Sequence, residues 1–92
     1  MINIIVIKPE FLNYANQVSD IFNIYYENVN LDTDYNSSLN KRLRLSDSNM
    51  QIFIGSNEVN NNTICIRRNG LVINSSLPFV EIQHFIENLF ND

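Results

Sequence analysis

Apolar positions along this chain follow two different spacings, and each change of spacing marks a new element. Residues 2–7 form a short, largely β-branched run that stops before Pro9, which is typical of a strand buried on both faces. Apolar residues then recur at steps of four, three, four and three, the spacing of one helical face: Phe11, Ala15, Val18, Phe22 and Tyr25. This helix is predicted to end near Tyr26. Residues 29–32 predict a second short strand, so the chain opens with a strand–helix–strand unit.

The middle of the chain predicts a second helix over residues 37–46. Ser37 or Ser38 is expected to be its N-cap, because a hydroxyl at that position accepts a hydrogen bond from a free backbone N–H of the first turn. Leu39 and Leu43 are four residues apart, so both are expected to face inward.

The last part of the chain predicts a hairpin followed by a helix. Residues 50–54 predict a third strand, residues 56–62 a polar turn, and residues 63–67 a fourth strand antiparallel to the third. A short edge strand over residues 71–73 is expected after an Asn-Gly turn. The final helix opens at Pro78, and one of its faces is apolar: Phe79, Ile82, Ile86 and Leu89.

The order of these elements predicts the fold class. Alternation of strands and helices implies parallel pairing at the start, and the late hairpin makes the sheet mixed. We therefore expect an α/β fold with three layers (α/β/α), a mixed sheet of four to five strands, and three helices. A chain of 92 residues has the length of one small domain, so residues 1–92 are expected to form a single unit.

Charge changes this picture only locally. The net charge is −4, which counts against a general, non-specific binder of nucleic acid, since such proteins are usually basic. Five of the six basic residues nevertheless fall into two clusters, which favour a positive patch on an acidic body: Lys41, Arg42 and Arg44, and Arg67 and Arg68. The alternative is that they are ordinary solvated surface charges.

The sequence lacks the residue patterns typical of catalytic sites, metal sites and membrane spans. Its apolar runs are far shorter than the roughly 20 residues of a membrane span, and residues 2–7 are too few for a signal sequence. The single cysteine, Cys65, excludes an internal disulfide framework, favours the cytoplasm and is expected to be a small core residue. His84 has no second histidine or cysteine nearby, so no metal, cofactor or catalytic set is expected. Neither a membrane nor DNA is expected as a partner.

Four short motifs resemble those of a known family. Residues 29–32 read VNLD, residues 38–44 read SLNKRLR, residues 55–67 read GSNEVNNNTICIR, and residues 85–89 read FIENL. In this order they resemble the anticodon-binding domain of class II aminoacyl-tRNA synthetases, and within that group they are most similar to the C-terminal domain of threonyl-tRNA synthetase. The block from Glu58 to Arg67 is the most specific part of the likeness.

The resemblance implies a tRNA anticodon as the ligand and gives particular residues a role. Glu58 and Arg67 match the family's base-reading glutamate and arginine, and Asn36 lies near a family asparagine that also reaches the anticodon. A carboxylate suits the donors on the Watson–Crick edge of guanine, and a guanidinium suits its O6 and N7 acceptors. The remaining basic residues are expected to contact phosphates, which position RNA without specifying its sequence: Lys41, Arg42, Arg44 and Arg68.

The resemblance also limits what the chain does by itself. The class II catalytic motifs are absent, so the chain is expected to be the non-catalytic part of a threonine–tRNA ligase, with tRNA and a synthetase catalytic domain as partners. The alternative is a domain of the same fold that serves protein interaction and no longer reads RNA. The acidic charge and a segment between residues 45 and 50 that is shorter than in the family favour this alternative. Glu58 and Arg67 would then be an ordinary turn glutamate and the end of a strand.

Overall fold

Strands and helices alternate along most of the chain. The computed structural model describes residues 2–45 and 50–90. The elements in chain order are β1 (Ile2–Val6), α1 (Leu12–Tyr25), β2 (Val29–Asp32), α2 (Leu39–Leu45), β3 (Met50–Ile54), α3 (Ser56–Asn61), β4 (Thr63–Arg68), β5 (Leu71–Pro78) and α4 (Ile82–Phe90). One turn of 3-10 helix precedes each of α1 and α4, at Pro9–Phe11 and Phe79–Glu81. No helix within these residues is long and apolar enough to cross a membrane.

The strands form one mixed sheet in the order β2-β1-β3-β4-β5. β1 is parallel to both of its neighbours, so Ile4 lies beside Leu31 of β2 and beside Ile52 of β3. β4 is antiparallel to β3 and to β5. These pairings confirm the mixed sheet that the order of elements predicts. β1 lies between two strands, and all five of its residues are buried, as its apolar run indicated.

One face of the sheet packs against α1 and α4. Alternate strand residues point to this face, and Ile4, Ile52 and Ile66 are fully buried there. The buried helical side chains that meet them are Ala15, Val18 and Phe22 from α1 and Ile82 and Ile86 from α4. The apolar spacing predicted for α1 is therefore confirmed. Burying each large aliphatic or aromatic side chain contributes about 1.5–3 kcal/mol, so this layer stabilises most of the fold.

α2 lies on the opposite face, so the sheet is the middle of three layers. Ser38 is its N-cap, because the Ser38 Oγ accepts a hydrogen bond from the backbone N–H of Lys41 at 3.2 Å. Leu39, which was expected to face inward, is 43% exposed. Arg42 is the α2 residue that reaches the sheet instead. The predicted helix end and the shortened segment fall at residues 46–49, outside the described residues.

The connection between β3 and β4 is a short helix, where the sequence predicts a turn. α3 begins after Gly55, whose backbone N–H donates to Glu58 Oε1 at 2.8 Å. It ends at Asn62, which has a left-handed φ of 54° and donates its N–H to the Glu58 carbonyl. The prediction of three helices is therefore wrong by one. A glutamate three residues after Gly55 satisfies a backbone donor and stabilises a helical turn in this polar segment.

The edge strand β5 is longer than predicted. It follows a turn in which Asn69 (φ 54°) and Gly70 (φ 83°) both have positive φ, the geometry of tight hairpins. β5 then runs for eight residues, Leu71–Pro78, with two irregularities in its pairing with β4. Such irregularities and the proline both disfavour the addition of a further strand to an open edge.

Candidate functional site

The outer face of the sheet, on the α2 side, carries an open groove beside α3. Strand alternation turns Phe53 of β3 and Cys65 of β4 to this face, where they are cross-strand neighbours. The groove has a volume of about 370 Å³. Ile7 and Phe53 contribute apolar surface, and Gly55 and Glu58 lie at the α3 end. This position, at the carboxyl ends of the parallel strands β1 and β3, is one where α/β folds commonly bind ligands.

Glu58 is held at one end of the groove by its own helix. Its side chain is half-buried, and Oε1 accepts the hydrogen bond from the Gly55 N–H at 2.8 Å. The glycine fits this approach closely, because a Cβ on Gly55 would lie 3.2 Å from Oε1 and 3.4 Å from Ile7 Cγ1. The second carboxylate oxygen accepts no hydrogen bond from the described residues. The Glu58 carboxylate is therefore held in one orientation, and its Oε2 remains available as a hydrogen-bond acceptor.

Arg67 is fixed on β4, two residues beyond Cys65. Its guanidinium carbon lies 5.8 Å from the centroid of the Phe53 ring, a distance at which a cation is attracted to the aromatic face. One terminal nitrogen, Nη2, donates to the Gly70 carbonyl at 2.8 Å and so ties the side chain to the β4–β5 turn. The Nε atom is buried and has no hydrogen-bond partner within the described residues. The guanidinium is thus positioned, with donors still unused.

The charges of Glu58 and Arg67 both affect the Cys65 thiol, and the two side chains do not form an ion pair with each other. Burial raises the pKa of the Cys65 thiol, the Glu58 carboxylate raises it further, and the Arg67 guanidinium opposes the rise. Cys65 therefore stays protonated at neutral pH, which makes it a poor nucleophile. No ion pair joins Glu58 to Arg67 in residues 2–45 and 50–90. The site thus offers an acceptor near one end, a forked donor near the other, and an aromatic surface between them.

Most of the other candidate residues from the sequence have side chains exposed to solvent. Asn36 is exposed in the connection from β2 to α2, which follows the same carboxyl edge of the sheet as α3. Lys41 and Arg44 are exposed on α2, and Arg68 is exposed at the end of β4. None of these four side chains makes a hydrogen bond or ion pair with the residues that the structure describes.

Arg42 is a correction to the sequence-based prediction. It is only 5% exposed, and its guanidinium forms a salt bridge of 3.1 Å with Asp32. The same Nη2 donates to the backbone carbonyls of Val6 at 2.8 Å and of Asp32 at 2.7 Å. A guanidinium enclosed in this way joins α2 to the ends of β1 and β2. It is not placed to meet a phosphate.

Two residues that the sequence analysis did not assign to a site lie within this surface. Phe53 is half-buried beneath the Arg67 guanidinium. Gln51 lies directly across from Arg67 on the neighbouring strand. The alternation of residues 50–54 could have identified both residues. Gln51 and Phe53 occupy the odd positions, which share a face with Arg67 and Cys65 when β3 pairs with β4.

Comparison with known proteins relates the chain to aminoacyl-tRNA synthetases. It is 30% identical over 97 residues to a threonine–tRNA ligase from Campylobacter hominis, an alignment that covers 99% of this chain and 15% of the ligase. The RNA-binding domain of threonyl-tRNA synthetase from Cryptosporidium parvum Iowa II superposes with a TM-score of 0.79 at 19% identity, over 96% of this chain and 23% of that one. Prolyl-tRNA synthetase from Cryptosporidium parvum, complexed with L-proline and AMP, superposes with a TM-score of 0.81 at 15% identity, over 98% of this chain and 20% of that one. No family profile matches the sequence.

The structural comparisons show the fold of the chain. The two structural likenesses include almost the whole chain, so its mixed sheet and helices have the arrangement found in part of these synthetases. The chain spans only 15% of the length of the ligase that it matches. The likeness therefore concerns one segment of a much larger protein.

Proposed function

Since the chain resembles the anticodon-binding domain of class II aminoacyl-tRNA synthetases, and that of threonyl-tRNA synthetase in particular, we propose that it is a non-catalytic tRNA-binding module that contributes to tRNA selection. The observation that carries this proposal is the arrangement of Glu58 and Arg67. Both lie beside the Phe53–Cys65 pair, both are oriented by bonds within the chain, and both retain unused hydrogen-bonding capacity.

The arrangement suits the edges of unstacked bases. Anticodon loops present such bases, and sequence-specific RNA recognition usually targets loops of this kind. Threonine anticodons end in G-U. The two oxygens of the Glu58 carboxylate, of which Oε1 has a second lone pair beside its bond from Gly55, accept from the N1–H and N2–H donors of guanine, and the Arg67 guanidinium donates to base acceptors. A good bidentate pair discriminates by about 1–3 kcal/mol, a value taken from duplex DNA.

The exposed basic residues complete the proposed surface. Lys41, Arg44 and Arg68 contact phosphates, and Asn36 reaches a base of the loop; all four side chains are free to do so. Arg42 has no part in this surface because it is buried against Asp32. In a parent chain, a synthetase catalytic domain supplies the chemistry, and the module works in the cytoplasm, where tRNA is charged.

A titration with RNA stem-loops tests the proposal. The domain is titrated with a threonine anticodon stem-loop and with its G-to-A variant, at two salt concentrations. The wild-type domain is expected to prefer the guanine. Arg67→Ala is expected to reduce that preference by roughly tenfold, because it removes a base contact. Since Arg67 also ties down the β4–β5 turn, each variant's melting temperature is measured alongside.

Arg68 supplies the matched control, because it is the exposed arginine next to Arg67 on the same strand. Arg68→Ala and Lys41→Ala are each expected to weaken binding of both RNAs equally. Each is also expected to reduce the salt slope by about 0.7, the value for one phosphate contact to a single strand. Equal binding of all anticodon loops by the intact domain contradicts the proposal.

A second candidate function is supported by the open edge of the sheet. β5 exposes three consecutive apolar residues, Leu71 (71% exposed), Val72 (56%) and Ile73 (45%), beside an acidic body of net charge −4. Such a surface favours a protein-interaction or accessory domain that keeps the fold without reading RNA. Pulldowns with and without nuclease treatment distinguish the two functions. A stable protein partner with no bound RNA, together with stem-loops that do not bind the domain, supports the protein-interaction function.

A further inference from the structure

A second groove lies on the helical side of the sheet, where α1 meets the end of β5. Its volume is about 420 Å³. Tyr14 and Phe79 supply aromatic walls with ring centroids 5.8 Å apart, and Val80, which is 87% exposed, lies beside them. The walls are tied to the α3–β4 junction, because the Tyr14 hydroxyl donates to the Thr63 carbonyl and the Phe79 N–H donates to the Asn62 carbonyl, each at 2.7 Å. This Tyr14–Phe79 groove is therefore preformed.

The hairpin tip, residues 67–73, stands out from the body of the domain at the other end of β5. Leu71 and Val72 point to opposite faces of the sheet, because strand residues alternate, yet both are exposed, at 71% and 56%. Neither face is therefore covered at this end of the strand. Arg68 is exposed and pairs with Leu71 across the two strands, so their side chains share a face. The tip thus presents an apolar side chain next to a cation.

The helical side of the sheet and the hairpin tip have opposite charges. Residues 67–73 contain two arginines and no carboxylate. Residues 9–28 and 79–90, which form α1, α4 and the turns beside them, contain five carboxylates and no lysine or arginine: Glu10, Asp20, Glu27, Glu81 and Glu87. Glu81 is exposed only two residues after Phe79, which places a carboxylate close to the wall of the groove. Complementary charges of this kind steer two surfaces together and orient them.

The hairpin tip and the groove of one chain are too far apart to meet. Leu71 begins β5 and Pro78 ends it beside the groove, and seven steps along a strand span about 20 Å. Contact between the two surfaces therefore requires two copies of the chain. Pairing of two β5 strands edge to edge is the other way to cover the exposed residues, and the irregular pairing of β5 and its proline both disfavour it.

We propose that copies of this chain associate head to tail, with the hairpin tip of one copy docked in the Tyr14–Phe79 groove of the next. Leu71 packs against Phe79 and Val80, and Arg68 lies toward Glu81. Because the two surfaces differ, each dimer keeps one free tip and one free groove and can add further copies. One hairpin in one groove buries a small area, so the association is weak and depends on concentration. This inference does not depend on RNA binding.

Sedimentation velocity over a concentration series of the 92-residue chain tests the proposal. The wild type is expected to shift from monomer to dimer and larger species, less so at high ionic strength, where exposed charges are screened. Leu71→Ser removes the apolar anchor, and Val80→Arg places a cation in the groove. Each is expected to weaken association roughly tenfold or more. Arg68 also belongs to the proposed RNA surface, so it is left unchanged.

The matched control is Ile24→Ser, which removes an apolar side chain that is 67% exposed on α1 and lies outside the groove. It is expected to leave association unchanged. All three substituted side chains are exposed, so the fold is expected to persist, and circular dichroism with a measured Tm checks this for each variant. The two test variants alter different surfaces, so either one decides the question if the other misfolds.

Mixing the two test variants examines the pairing of the surfaces directly. Leu71→Ser keeps an intact groove, and Val80→Arg keeps an intact hairpin tip, so one complete contact can form between them. An equimolar mixture is expected to form a dimer at a concentration where each variant alone is monomeric. This dimer is not expected to grow, because its two remaining surfaces are both altered.

Four results would overturn the inference. The first is a wild type that stays monomeric up to about 1 mM. The second is association that Ile24→Ser weakens as much as Leu71→Ser does. The third is association that Leu71→Ser abolishes and Val80→Arg leaves intact, which would indicate edge-to-edge pairing of β5. The fourth is a mixture of the two test variants that stays monomeric while the wild type associates.

Discussion

Replacing Arg42 with methionine is expected to destabilise the domain far more than any other change of a basic residue on α2. The guanidinium links three chain segments through acceptors on Val6 and Asp32, at 2.7–3.1 Å. A methionine side chain at this position would fill the space of the aliphatic stem and leave those acceptors without their donor. Val6 is fully buried, so its carbonyl has no ready access to water.

The magnitude follows from these contacts. Removing one partner of a buried ion pair typically costs 3–5 kcal/mol, and hydrogen bonds to charged groups contribute about 1.5–3 kcal/mol. The Asp32 side chain is 16% exposed, so water partly screens the carboxylate that is left behind. We therefore expect a loss of about 3 kcal/mol, at the low end of the range. That is a large share of the roughly 5–14 kcal/mol expected for a chain of this length.

Urea denaturation followed by circular dichroism measures the loss. Arg42→Met is expected to lower the transition midpoint without changing the m-value, because the surface exposed on unfolding stays the same. Arg44→Met is the matched control on the same helix: Arg44 is exposed, so a change within about 0.5 kcal/mol is expected. A double-mutant cycle with Asp32→Asn should show strong coupling to Arg42 and none to Arg44.

The reasoning fails if Arg42→Met and Arg44→Met lose the same stability. It also fails if Arg42→Met stays folded and lowers the salt slope of RNA binding as Lys41→Ala does. That result would mean that Arg42 meets a phosphate after all. Arg42→Lys adds a graded test, because one ammonium cannot reproduce the planar fork that bridges β1 and β2. Its stability is expected to fall between wild type and Arg42→Met.

Three further predictions concern the fold. Phe22→Ala should cost about 3–5 kcal/mol in urea denaturation, since Phe22 is fully buried, whereas Ile24→Ala on the same helix, 67% exposed, should cost little. Asn62→Gly should be tolerated at φ 54°, whereas Asn62→Val should lose about 1–2 kcal/mol by the same measurement. Burial and the Glu58 charge raise the pKa of Tyr14 from 10.0 to about 12. An alkaline absorbance titration should therefore show a tyrosine that ionises near that value, and Tyr14→Phe should remove this step. Because the native state holds this proton longer than the unfolded chain, stability should fall between those pH values in wild type more than in Tyr14→Phe.

The elements that the sequence predicts well are those whose burial follows a period. The step of three and four residues in α1 and the apolar run of β1 each report directly on the face that packs in the core, so both appear where expected. α3 has no such period. The hydrogen bond from the Gly55 N–H to the Glu58 side chain satisfies a backbone donor at its start, and a polar segment with several asparagines is otherwise typical of a turn.

The site shows a second limit of sequence reasoning. Glu58 and Arg67 stand out because they belong to a recognisable block. Arg42 carries no signal of its burial, since its acceptors lie 10 and 36 residues away along the chain. Gln51 gives none either: only the pairing of β3 with β4 brings it beside Arg67. Side chains whose role depends on register or on distant backbone carbonyls become visible only when the tertiary structure is known.

The capping bond of Glu58 has a kinetic consequence. Glu58 and Arg67 are each anchored by a bond within the free domain, at 2.8 Å in both cases, so neither side chain has to be ordered when a ligand arrives. A preorganised site loses less conformational entropy on association. Under the proposed function, discrimination between bases should then appear mainly in how long a complex lasts, with similar association rates for right and wrong loops. A tRNA with the wrong anticodon would arrive as often as the right one and simply leave sooner.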